Sequence, residues 1–107
     1  MSSFDERKRG EEARFARDGE LRFKAEARRN KLLGMWAAEQ MGLSEAHAKE
    51  YAASVVVADF EEAGDDDVFR KVSADLKDKG TSVTDDMLRQ KMQQLTAVAR
   101  EQVLAEG

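Results

Sequence analysis

The chain has 107 residues, 41% of them hydrophobic and 37% charged, with a net charge of −4 at neutral pH, which suits a single domain whose modest core is placed economically. It contains no cysteine, which excludes a disulfide framework, a thiolate nucleophile and a cysteine-ligated metal site. It contains no proline and only seven scattered glycines, a composition that favours a few long helices joined by short turns over many strands.

Charge is unevenly distributed. Residues 1–31 hold ten Lys or Arg and seven Asp or Glu, whereas residues 32–107 hold eight and fifteen. The two parts are therefore expected to do different work.

From Phe4 to about Gln40 good helix formers run on with only Gly10, Gly19 and Gly34 interrupting them, so one long helix is expected. Before Leu21 its only large apolar residues are Phe4 and Phe15; afterwards Leu21, Phe23, Leu32, Leu33, Met35 and Trp36 supply a face to bury. Residues 1–19 are thus expected to be a mobile, partly helical segment, and residues 20–107 to form the folded unit.

Ser44 is the expected N-cap of a second helix, whose apolar positions Ala48, Tyr51, Ala52, Val55, Val56, Phe60 and Ala63 recur at helical spacing up to a stop at Gly64. The sustained period outweighs the strand preference of Val55, Val56 and Val57. Asp65, Asp66 and Asp67 precede a third helical pattern of Val68, Phe69, Val72 and Leu76 that ends at Gly80. One of the three is expected to cap that helix, with the others facing its positive end.

Thr84 is the expected cap of the last helix, with Val83 and Leu88 placed as a hydrophobic staple. Leu88, Met92, Leu95, Ala99 and Val103 then form one stripe. Four helices with short connections predict an all-α fold, a four-helix bundle.

Few residues point to catalysis. His47 is the only histidine, with no serine nucleophile or paired carboxylate to complete a triad. The Asp65–Asp67 run lacks the alternating spacing of a calcium loop. No phosphate-binding loop, dinucleotide fingerprint or zinc-protease motif occurs. Trp36 with Leu32, Leu33 and Met35 reads as core. A protein that is not an enzyme and has neither cofactor nor metal is expected.

The N-terminal segment is more informative. Its charges alternate at helical neighbour spacings: Asp5 with Arg9, Asp18 with Arg22, Glu20 with Lys24, and Glu11 with Arg14. The interspersed acids oppose nucleic-acid binding. Phe4 and Phe15, eleven residues apart, fall within about 20° of one helix face. Two aromatics on one side of an underpacked charged helix point to a partner's groove.

The stretch Phe4-Asp5-Glu6-Arg7-Lys8-Arg9-Gly10-Glu11-Glu12-Ala13-Arg14-Phe15-Ala16-Arg17 resembles the inhibitory segment of the mitochondrial ATP synthase inhibitor, which reads F-x-x-R, three residues, E-E-x-R, an aromatic, x-R. Over its length the chain resembles the zeta-subunit inhibitors of α-proteobacterial F-type ATP synthases. The shared stretches are F-A-R-D, L-R-F-K-A-E-A-R-R-N-K-L-L-G-x-W-A-A, V-x-A-D-F-E-E-A-G and D-V-x-R-K-V-x-A-D-L, almost all within residues 4–76.

The resemblance implies a four-helix inhibitor of ATP hydrolysis that inserts its N-terminal helix between α and β catalytic subunits, against the central rotor γ. Phe4, Arg7, Glu11, Glu12, Arg14, Phe15 and Arg17 are then the partner-binding residues. Lys8 departs from the mitochondrial pattern, where an acid stands. With one histidine and no histidine-rich coiled coil, the mitochondrial pH-controlled oligomer switch does not carry over. A monomer is expected, located in the cytoplasm and held peripherally at the inner membrane through the ATP synthase, since no run reaches the ~20 apolar residues of a membrane span and the N-terminus lacks a signal peptide's apolar stretch. The alternative readings are a bundle that binds a small molecule, a nucleotide, because a helix N-terminus can hold phosphate without a motif, and a nucleic-acid-associated helical protein without catalysis.

Overall fold

A computed structural model describes residues 19–59 and 65–106. Four helices follow in order: α1 Gly19–Gln40, α2 Glu45–Ala58, α3 Asp66–Asp78 and α4 Asp85–Glu106. The all-α, four-helix expectation is met. Phe4 to Asp18, the part of the expected first helix that precedes Gly19, lies outside the described residues.

Local chemistry sets most of the helix ends. α1 closes with Gly42 at φ +72°; the Gly42 N–H donates to the Glu39 carbonyl at 3.1 Å and the Leu43 N–H to the Ala38 carbonyl at 3.0 Å, the paired bonds of a Schellman turn. α3 ends the same way at Gly80, φ +71°, whose N–H donates to Lys77 at 3.0 Å while that of Thr81 donates to Leu76 at 3.1 Å. At both sites glycine supplies the left-handed conformation that a side chain would strain.

The expected caps of α2 and α4 are present. The Ser44 hydroxyl accepts from the His47 N–H at 3.3 Å and that of Thr84 from Met87 at 3.2 Å. Val83 packs against the core cluster that contains Leu88, as a staple requires.

Two expectations fail. α2 ends at Ala58, with Asp59 as its C-cap, and not at Ala63; Phe60 to Gly64, with the expected stop, lie outside the described residues. Phe23, expected on the buried face, is 51% exposed. It sits seven residues before buried Asn30 and so on nearly the same stripe, close to the described start of α1.

The core is one cluster of Leu33, Ala37, Val55, Val68, Val72, Leu76, Leu88 and Met92, with Trp36, Tyr51, Phe69 and Leu95 packed around it. Each large aliphatic side chain buried there contributes roughly 1.5–3 kcal/mol. α1 is the central element, packing on α2 and α4 most extensively and on α3 as well. A smaller cluster of Ala25, Val103 and Leu21 joins the start of α1 to the end of α4. α1 and α2 approach so closely that a Cβ added at Gly34 would stand 2.6 Å from the Ala52 Cα.

Candidate functional site

The seven residues that the sequence singles out, Phe4, Arg7, Glu11, Glu12, Arg14, Phe15 and Arg17, all lie outside the described residues. The structure describes the helix that follows them in sequence. α1 is described from Gly19 onward, and near that point Glu20 pairs with Lys24 at 3.4 Å, as the charge spacing predicted.

Two consecutive arginines hold this helix. Arg28 reaches across to the end of α4, donating to Gln102 Oε1 at 2.9 Å and to both Glu106 carboxylate oxygens at 2.7 and 2.9 Å. Arg29 turns inward, and its side chain is only 4% exposed. Its guanidinium donates to Asp65 Oδ1 at 2.9 Å, to Asn30 Oδ1 at 2.7 Å and, at 3.5 Å, to Thr96 Oγ1. One buried cation thereby ties α1 to the start of α3 and the middle of α4.

A charge removed from water needs such partners. The Arg29 hydrogen bond, together with the guanidinium charge, holds the Asp65 carboxyl below its ordinary value of 3.8 despite partial burial. Asp65 occupies the N-cap position of α3 but makes no side-chain cap bond, which corrects the capping role expected for the aspartate run. The buried arginine takes the carboxylate that the helix end would otherwise use. Asp66 faces Arg89 at 3.5 Å, and Asp67 pairs with Arg70.

Sequence reasoning assigned Arg29 to the basic N-terminal part and missed its burial. A signal existed: Arg29, Leu33 and Ala37 recur every fourth residue, so the arginine lies on the apolar stripe. Asn30 is buried as well, and its Nδ2 has no hydrogen-bond partner.

Other polar contacts knit the remaining helices. The Tyr51 hydroxyl donates to Asp75 Oδ2 at 2.8 Å, and Lys71 approaches the same oxygen at 3.1 Å. Burial, reinforced by Asp75, pushes the Tyr51 phenol upward. Ser73 donates to Asp85 at 2.8 Å and Lys77 lies 3.3 Å from it, which together hold that carboxyl low. Arg89 stacks 3.7 Å from the Phe69 ring centroid, a cation–π contact.

His47 is exposed near the start of α2. Among the described residues no group of three or more His, Cys, Asp or Glu is placed to hold a metal ion, and no helix is long and apolar enough to cross a membrane.

Among curated proteins nothing matches. A protein solved by solution NMR is 52% identical, with a TM-score of 0.72, over 81% of this chain and 99% of its own. The family model described as ATPase inhibitor subunit zeta matches residues 1–102, so it takes in both the N-terminal segment and the bundle, and the chain belongs to that family.

Proposed function

We propose that this inhibitor subunit stops ATP hydrolysis by inserting residues 1–19 at an interface between α and β catalytic subunits of the F-type ATP synthase, against the central rotor, while residues 20–107 stay folded outside as the carrier. Phe4 and Phe15 act as apolar anchors, and Arg7, Glu11, Glu12, Arg14 and Arg17 meet partner charges. The protein works in the cytoplasm on the membrane-bound enzyme.

The observation that carries this reading is the division of labour along the chain. The aromatic and charged pattern of the segment ends at Arg17, and the inhibitor-family match takes in that segment together with the bundle, into whose smaller cluster α1 packs Leu21 and Ala25. A segment that folds on its target should be polar and carry a few aromatic anchors, and α1, clamped through Arg28 and Arg29, gives it a rigid base.

The test is to add the full chain and a 20–107 truncation to the purified ATPase and measure hydrolysis beside thermal melts of both. The full chain should inhibit, and the truncation should melt as a folded bundle without inhibiting. A truncation that inhibits as well as the full chain overturns the assignment.

A further inference from the structure

α1 and α4 run side by side in opposite directions: Trp36 lies under Lys91, Arg29 meets Thr96, and Arg28 reaches Gln102 and Glu106. The part of α1 that follows residues 1–18 is therefore held by the far end of α4. Val103 is buried there with Ala25, and Leu21 packs against them. About one turn beyond Ala25, Arg28 Nη2 donates to both oxygens of the Glu106 carboxylate at 2.7 and 2.9 Å, and its Nη1 donates to Gln102 Oε1 at 2.9 Å.

Neither charge has a partner at neighbour spacing on its own helix. Three and four positions from Arg28 stand Ala25, Lys31, Lys24 and Leu32, and three and four before Glu106 stand Val103 and Gln102, so no opposite charge occupies those places. The pairs Glu20 with Lys24 and Glu45 with Lys49 each lie along a single helix. The pair of Arg28 and Glu106 forms only when α1 and α4 lie together.

Its side chains are 29% and 58% exposed, and an ion pair at that exposure adds little to the stability of a whole bundle. Its effect is local. A guanidinium bound through two nitrogens is fixed in direction as well as in place, and it secures α1 away from the larger core cluster, where local opening is easiest.

We propose that Arg28, Gln102 and Glu106 are positioning residues for inhibition: by holding α1 on α4 they fix the part of the bundle to which residues 1–18 are joined, and so raise the potency of that segment. The inference rests on the inhibitory reading given above. A binding segment whose base is already held has fewer residues to order when it meets its target. Each further residue that has to be ordered lowers affinity by about fivefold or more. The end of α4 thereby sets the strength of inhibition without touching the ATPase.

The test uses the full-length variants Arg28→Glu and Glu106→Lys and the double variant that carries both. Each is titrated against the purified ATPase, beside a thermal melt and amide hydrogen exchange of residues 21–25 in the free protein. Either single variant should inhibit about fivefold or more weakly and exchange faster at residues 21–25, with a melting temperature close to that of the wild type. The double variant restores opposite charges and should recover both potency and protection. Loss of potency that the double variant does not recover overturns the proposal, because Arg28 would then touch the ATPase itself. Potency that falls only in step with the melting temperature also overturns it, since the pair would then serve folding alone. A wild type that does not inhibit, or a 20–107 truncation that inhibits as well, overturns the inhibitory reading and this inference with it. An active wild type matched in potency by both single variants overturns this inference alone.

Discussion

Arg29 and Asp65 meet at 2.9 Å across 36 residues of sequence, an almost fully buried guanidinium against a carboxylate that is 58% exposed. The asymmetry makes the arginine the vulnerable partner, since it cannot recover water when the carboxylate is lost.

Asp65→Ala should therefore destabilise the bundle by about 1–3 kcal/mol, the cost of a buried group left underpaired. Asp65→Ser should not rescue it, although serine is a good N-cap, because the position acts through Arg29 and not through the end of α3. Thr84→Ala, by contrast, should cost about 1 kcal/mol through the lost cap of α4. Urea denaturation of the three variants checks this; full rescue by serine would make Asp65 an ordinary cap.

The same pair sets a pH dependence. Asp65 has a folded-state value below the ordinary 3.8, so the stability it contributes is fully present above the unfolded value and lost as pH falls through the folded one. The acid limb of the stability curve, below about pH 4, should be steeper for the wild type than for Asp65→Asn. Identical limbs in denaturant titrations at several pH values would remove Asp65 from the acid response.

Gly34→Ala should destabilise, although alanine favours a helix by roughly 1 kcal/mol. The new Cβ meets backbone, the Ala52 Cα at 2.6 Å, which cannot swing aside as a flexible side chain would. Overpacking of this kind typically costs about 1–3 kcal/mol. A thermal melt at or above that of the wild type would mean that α1 and α2 separate without penalty.

In the N-terminal segment, Phe15→Ala should weaken inhibition by about tenfold or more, because burying a phenylalanine is worth roughly 1.5–3 kcal/mol and each 1.4 kcal/mol is a factor of ten. Arg14→Ala should weaken it too if its charge is desolvated against a partner, and Lys8→Ala should matter less. Bundle stability should be unchanged in all three. ATPase titrations beside melting curves give the answer; equal potency across the set would leave the segment as a solvated helix without anchors.

The sequence by itself determined what depends on neighbours along the chain. The caps at Ser44 and Thr84, the glycine turns at Gly42 and Gly80 and the apolar stripe from Leu88 to Val103 all follow from contacts within a few residues, and the family pattern is linear text. The tertiary structure decided what depends on residues distant in sequence. Arg29 reads as one more basic residue until α3 and α4 close over it, and Asp65 reads as a cap until that buried charge claims its carboxylate. Phe23 sits on the apolar stripe of α1, yet about half of its surface stays exposed in the packed bundle. Helical periodicity fixes the direction in which a side chain points, and only the packed bundle fixes whether another helix is there to meet it.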